Sequence, residues 1–98
     1  MELVNTIATP HPDVQSSLLD EEAVLLNLSS GYYHSLNPLG TKIWTLCDGT
    51  RSLQDVLASV CSYYDVHEET AKDDLVQLMT QLNQEGLVEL RTSSEETN

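Results

Sequence analysis

Positive charge is scarce in this chain: 98 residues carry 4 Lys and Arg against 16 Asp and Glu, giving a formal net charge of −12 and a pI near 4.2. Binding to a nucleic-acid duplex requires clustered cations that displace counterions, so DNA and RNA are excluded as general partners. The same deficit argues against anionic membrane surfaces, which attract polybasic segments. No apolar run approaches the ~18 residues of a membrane span, and no basic-then-apolar segment opens the chain. The expectation is a cytoplasmic protein with no membrane partner. Cysteine is equally sparse. Cys47 and Cys61 stand fourteen positions apart on apolar helical stripes with no CxxC, the pattern of buried, reduced thiols.

Catalytic constellations are missing as well. Only four glycines occur, and no GxGxxG, P-loop or GxSxG is present. The histidines, His11, His34 and His67, are dispersed without HExxH or paired spacing, so neither a metal nor another cofactor is expected. The carboxylate pairs Glu68-Glu69 and Asp73-Asp74 fall near the start of a predicted helix, where a solvated first turn accounts for them. Nothing in the chain activates a nucleophile or a water. The protein reads as a non-enzyme.

What is present is one domain's worth of patterned chain, long enough to bury roughly 60–65% of its unfolded surface. Residues 1–12 read as an irregular lead-in, because Pro10 and Pro12 cannot donate to a ladder; a strand over 3–7 is a weaker option. Residues 13–90 form the predicted domain. Residues 91–98 hold no large apolar side chain and are expected to be a mobile tail.

Within the domain the hydrophobic period changes once. Residues 14–36 read as an antiparallel three-stranded meander, with strands over 14–19, 23–29 and 32–36. Asp20-Glu21-Glu22 supplies the first turn, and Ser29-Ser30-Gly31 the second, where Gly31 can take a positive φ. From Asn37 the period becomes 3.6. Asn37 caps a helix with Pro38 at its first position; Leu39, Ile43, Leu46 and Cys47 line one face, and Asp48-Gly49 ends it. Ser52 caps a second helix with Asp55 three residues on, carrying Leu53, Val56, Leu57, Val60, Cys61 and Tyr64 on one stripe. A third helix over 68–85 buries Ala71, Leu75, Leu78, Met79 and Leu82 and stops at Gly86; residues 87–90 are extended. The fold class expected is α+β, a winged helix-turn-helix with a three-stranded antiparallel N-terminal sheet followed by three helices. A DNA-reading role is inconsistent with it here. Lys72 is the only cation on the third helix, and the second has none.

That leaves binding through the sheet. An unpaired edge at residues 32–36 can accept an extended peptide as a further strand, or can be covered or paired with a second copy. The stretch LLNLSSGYYHSLNPLGTKIWTLCDGTRSLQDVL, followed by DDLVQLMTQLNQEGLVEL, resembles the PqqD-like family of RiPP recognition elements. These bind the leader peptides of ribosomally made, post-translationally modified peptides. The marks are Leu36-Asn37, Ile43-Trp44, Asp48-Gly49 with Ser52 after it, and Gly86-Leu87-Val88, covering about two-thirds of the chain in order. The doublet Tyr32-Tyr33 before Leu36-Asn37 is most similar to the stand-alone recognition protein of lasso-peptide pathways, which hands its precursor to a separate leader peptidase.

The resemblance implies that a leader lies antiparallel to the third strand, at Tyr32, Tyr33, His34, Ser35 and Leu36, and fills a groove between it and the third helix. With Leu75 at the centre of the helix's core face, Lys72, Val76, Met79 and Asn83 form the expected groove shoulder, and Leu75 is counted with them among the peptide-binding residues. Asp74, Leu78, Gln81 and Glu85 form the competing one. The implied partners are a precursor leader peptide and a leader peptidase or other modification enzyme. Alternatives are a chaperone for the pyrroloquinoline quinone precursor, or a structural or regulatory homodimer through the same edge.

Overall fold

The computed structural model describes residues 2–92. A 3₁₀ turn at Leu3–Asn5 leads into β1 (Thr6–Pro10), β2 (Val14–Leu19), β3 (Glu22–Asn27) and β4 (Tyr33–Ser35). Helices α1 (Pro38–Leu46), α2 (Leu53–Tyr63) and α3 (Glu68–Gln84) follow, and β5 (Val88–Thr92) closes the order. Strands β2, β3 and β4 form the expected antiparallel meander.

Both chain ends depart from expectation. The lead-in contains a strand, because β1 pairs antiparallel with β5 from Thr6 opposite Thr92 to Pro10 opposite Val88. Pro10 occupies the last position of β1, where a missing ladder donor is tolerated. Arg91 and Thr92, assigned to the tail, are the last two residues of β5. The rest of the expected tail, 93–98, lies outside the described residues.

The turns follow from residue type. Gly31 takes φ 79° between β3 and β4, and Asp20 takes φ 57° between β2 and β3, a left-handed conformation that Asp tolerates better than most residues. Buried Asn27 organises the second turn. Its Oδ1 accepts from the N–H groups of Ser29 (2.9 Å) and Ser30 (3.1 Å), while its Nδ2 donates to the Gly86 carbonyl at 2.8 Å. One side chain thus ties the β3–β4 turn to the α3–β5 turn.

The helices begin where capping chemistry places them. Asn37 Oδ1 accepts from Gly40 N–H at 2.7 Å, and Ser52 Oγ from Asp55 N–H at 3.2 Å. Helix α1 stops at Leu46, and the left-handed residue is Gly49 at φ 88°. In that loop Thr50 donates its hydroxyl and its N–H to Asp48, holding the carboxyl below the usual carboxylate range. Leu25, Ile43, Leu53, Val56, Val60, Leu75, Met79, Leu82 and Leu87 are fully buried where sheet and helices meet. Each such aliphatic side chain contributes about 1.5–3 kcal/mol on removal from water. Leu78, expected in the core stripe of α3, is only half-buried.

Thr41 joins helix to sheet. Its buried Oγ1 accepts from Ala23 N–H at 2.9 Å and donates to Leu36 O at 3.4 Å, bridging the β3 donor to the carbonyl of the residue opposite it.

Candidate functional site

The backbone of β4 defines the site. Asn27 N–H donates to Tyr32 O at 2.9 Å, and Leu36 N–H to Ala23 O at 2.8 Å. In an antiparallel ladder bonded pairs alternate with non-bonded ones, so Leu25 and His34 between them form the next bonded pair. Tyr33 and Ser35, opposite Leu26 and Val24, therefore turn their N–H and C=O groups away from β3. Among the described residues the sheet order leaves that side of β4 without a neighbouring strand. Side chains alternate correspondingly. His34 and Leu36 share the inner face with Leu25 and Ala23, while Tyr33 (69% exposed) stands on the outer face beside Leu26.

Beneath this edge runs a cleft of about 240 Å³. His34, Ser35, Leu36 and Asn37 form its sheet side, Leu39, Gly40 and Ile43 of α1 its floor, and Asp74, Gln77, Leu78 and Gln81 of α3 its far wall. The walls are braced across the mouth: His34 Nδ1 lies 3.2 Å from Glu85 Oε1, and Gln81 Nε2 donates to Glu85 Oε2 at 3.2 Å. Apolar side chains lie deep, and amide, imidazole and carboxylate groups lie at the rim. Such a cleft can seat apolar side chains of an extended segment while its rim makes directional contacts.

The sequence-derived residues divide sharply. Tyr32, Tyr33, His34, Ser35 and Leu36 lie along the open edge, and the last four either present backbone groups or line the cleft. On α3 the structure favours the competing shoulder. Leu75 (1% exposed) and Met79 (0%) point into the core and cannot line a surface groove. Val76 is half-buried and does not line the cleft; it borders an adjoining depression with Thr80, Gln84 and Glu85 that shares Gln77 and Gln81 with the cleft. Lys72 and Asn83 are exposed and do not reach the cleft. Asp74, Leu78 and Gln81 do, and Glu85 holds His34.

Asn37, Leu39, Gly40, Ile43 and Gln77 also line the cleft and were not among the site residues read from the sequence. The available signal was chain proximity: α1 starts one residue after Leu36-Asn37, so its first turns must lie under the end of β4. Gly40 also has a packing reason, since a Cβ there would sit 3.2 Å from Asn37 Oδ1 and crowd the cap.

The other chemically suggestive groups lie apart from one another. Burial pushes the Cys47 thiol up to about 12, leaving it protonated at neutral pH. His11 Nδ1 accepts from Asp13 N–H at 3.1 Å, and His67 is the N-cap residue just before α3. Among the described residues no group of three or more His, Cys, Asp or Glu side chains is arranged to hold a metal ion. No described helix is long and apolar enough to cross a membrane.

Comparison with known proteins gives this geometry its relatives. Residues 22–88 match the family model described as coenzyme PQQ synthesis protein D (PqqD). Among curated proteins, none matches the sequence. Two solved structures are similar over most of their length. TbiB1, solved in complex with the TbiA(beta) leader peptide, is 30% identical with a TM-score of 0.75, over 83% of this chain and 94% of that one. Lasso peptide synthetase B1, complexed with the leader peptide, is 28% identical with a TM-score of 0.73, over 84% of this chain and 96% of that one. The family match spans both walls of the cleft and the helices between them: the chain belongs to the PqqD family, as a RiPP recognition element.

Proposed function

We propose that this protein binds the leader segment of a ribosomally made, post-translationally modified precursor of the lasso-peptide kind, by strand addition to β4. It then delivers the precursor to a leader peptidase or other processing enzyme and performs no chemistry itself. The carrying observation is the open edge, where Tyr33 and Ser35 direct donors and acceptors outward directly above a side-chain cleft. The relatives solved with leader peptides support the ligand class. We read the three helices, closed by the β1–β5 ribbon, as a winged helix-turn-helix reused for peptide rather than DNA; the net charge of −12 suits that use.

In this reading the two parts of the site have different tasks. Backbone pairing supplies affinity that any extended segment can claim, and the cleft discriminates by accepting every second side chain. The groove shoulder is Asp74, Leu78 and Gln81, and the inner face of the edge is His34 and Leu36.

Titration of a fluorescent leader, taken from the precursor encoded beside this protein, tests the reading. Saturable binding by the purified protein, with the leader left uncleaved, is expected. Failure to bind would refute the leader assignment, and preference for a pyrroloquinoline quinone precursor would move the protein to that pathway. Self-association that competes with the leader would instead favour the homodimer.

A further inference from the structure

His34 occupies a distinctive place in the cleft. Its N–H and C=O bond β3, so it is flanked by the two residues whose backbone groups face outward. A strand added antiparallel to β4 would pair its hydrogen bonds with Tyr33 and Ser35. The added residue opposite His34 would then fall in a non-hydrogen-bonded pair, where side chains come closest, about 4.5 Å between Cα atoms. That residue shares the inner face with His34, and its side chain enters the cleft.

The imidazole is not free to choose its protonation pattern. Its Nδ1 lies 3.2 Å from Glu85 Oε1, with the two side chains 18% and 23% exposed. An ionised carboxylate only accepts, so Nδ1 carries the hydrogen. Glu85 is itself fixed through its second oxygen by Gln81 Nε2. In the neutral ring Nε2 is then a bare acceptor. Among the described residues no group bonds it, and it is not among buried polar atoms lacking a partner, so it is open to solvent. Glu85 touches the ring, and Asp74 of α3 lines the same cleft; among the cleft-lining residues α1 contributes no titratable group, and β3 contributes no residue. Two carboxylates disfavour an acidic occupant and favour a donor.

We propose that His34, held in its Nδ1–H form by Glu85, is a specificity-determining residue, whose Nε2 accepts a hydrogen bond from a hydroxyl, amide or ammonium side chain on the leader residue paired opposite it. The assignment rests on leader binding at β4 and adds to it the chemistry of one leader position.

The first test needs no ligand. Long-range ¹H–¹⁵N correlation of the His34 ring in the free protein should show hydrogen on Nδ1. The Glu85→Gln variant, whose side-chain amide can donate to Nδ1, should lose that preference. A ring with hydrogen on Nε2 in the wild type would overturn the proposal. The second test uses leader peptides, from the precursor encoded beside this protein, in which donor side chains are replaced singly by apolar ones of similar shape. One replacement should weaken binding to the wild type by ~3–10-fold, the scale of one neutral hydrogen bond. The same replacement should be silent against folded His34→Phe. Leader binding without coupling between His34 and any donor position would overturn this inference and leave strand addition standing. No binding to the wild type would overturn both.

Discussion

The three-stranded sheet has two open edges, and they are not equivalent. Strand β2 is the longer, six residues to three, and five of its six residues are exposed. Leu28 N–H donates to Asp13 O at 2.9 Å, so by alternation Gln15, Ser17 and Leu19 bond β3, and Val14, Ser16 and Leu18 face outward. One of those donors is already used, since Val14 N–H bonds the His11 carbonyl at 3.0 Å. Acidic residues stand at both ends of β2, with Asp13 before it and Asp20 and Glu21 after it, a familiar defence of an exposed edge. The hollow beneath it is lined by Pro10, Leu18, Ala23, Trp44 and Cys47 together with Ser16, Ser17, Thr41, Thr45 and Asp48, and the surface it exposes is mostly apolar. The cleft beneath β4 combines apolar floor with directional rim. Backbone donors make an edge adhesive, and selectivity requires a cleft that can read side chains.

Proline at matched positions should break the symmetry most strongly. Ser35→Pro removes an outward N–H from β4 without touching the ladder to β3, and Ser16→Pro does the same on β2. Ser35→Pro should weaken leader binding by about 5–150-fold, corresponding to ~1–3 kcal/mol for the lost bond and the intruding ring. Ser16→Pro should leave affinity unchanged. Anisotropy titration, with circular dichroism to verify folding, measures both. Equal losses would mean that the leader uses either edge. His34→Pro is the wrong probe, because it removes a donor to Leu25 and damages the sheet itself.

The two shoulders of α3 come next. Leu78→Asp places a carboxylate in the cleft wall and should cost about 5–50-fold in leader affinity, from the burden of burying a charge against an apolar leader side chain. Val76→Asp lies outside the cleft lining and should bind the leader like the wild type. Melting temperatures must be followed for both, since each side chain packs partly against the core. A Val76→Asp protein that folds but loses the leader would restore the Lys72, Val76 and Asn83 shoulder.

These shoulders mark where the sequence stopped being legible. The meander, the three helices and their caps were readable because each depends on neighbours within a few residues: Asn37 before Pro38, Ser52 before Asp55, Gly31 in a two-strand turn. The β1–β5 pair was not, because its partners lie at opposite ends of the chain and two prolines obscured the local pattern. On α3 a helical wheel shows two flanks equally displaced from Leu75. Which flank meets β4 depends on how the helix crosses the sheet, information carried by long-range contacts such as Asn27 to Gly86 and His34 to Glu85. Val76, placed on the expected groove shoulder, packs against the core rim. Leu78 was ambiguous in the sequence because it has both roles, touching the core and lining the cleft.

The smallest expected effect concerns the hollow under β2 and is silent at neutral pH. Burial, aided by the neighbouring Asp48 carboxylate, pushes the Cys47 thiol up to about 12, whereas a thiol in the unfolded chain ionises near ~8.5. The folded-state value is the raised one, so the stabilising contribution is complete below the unfolded value. It is lost as pH climbs from there toward about 12, because only the unfolded chain releases the proton. Stability should therefore fall by up to ~1.4 kcal/mol per pH unit in that window, beyond what other groups contribute. Denaturant titrations between about pH 8 and pH 10 should show the slope in the wild type, and Cys47→Ala should lack this component despite its lower overall stability. Alkylation at about pH 8 gives an independent reading, with half-buried Cys61 reacting well before Cys47. Rapid labelling of Cys47 in the folded protein would mean that the buried wall of the hollow becomes accessible in solution, and the contrast between the β2 and β4 sides would have to be redrawn.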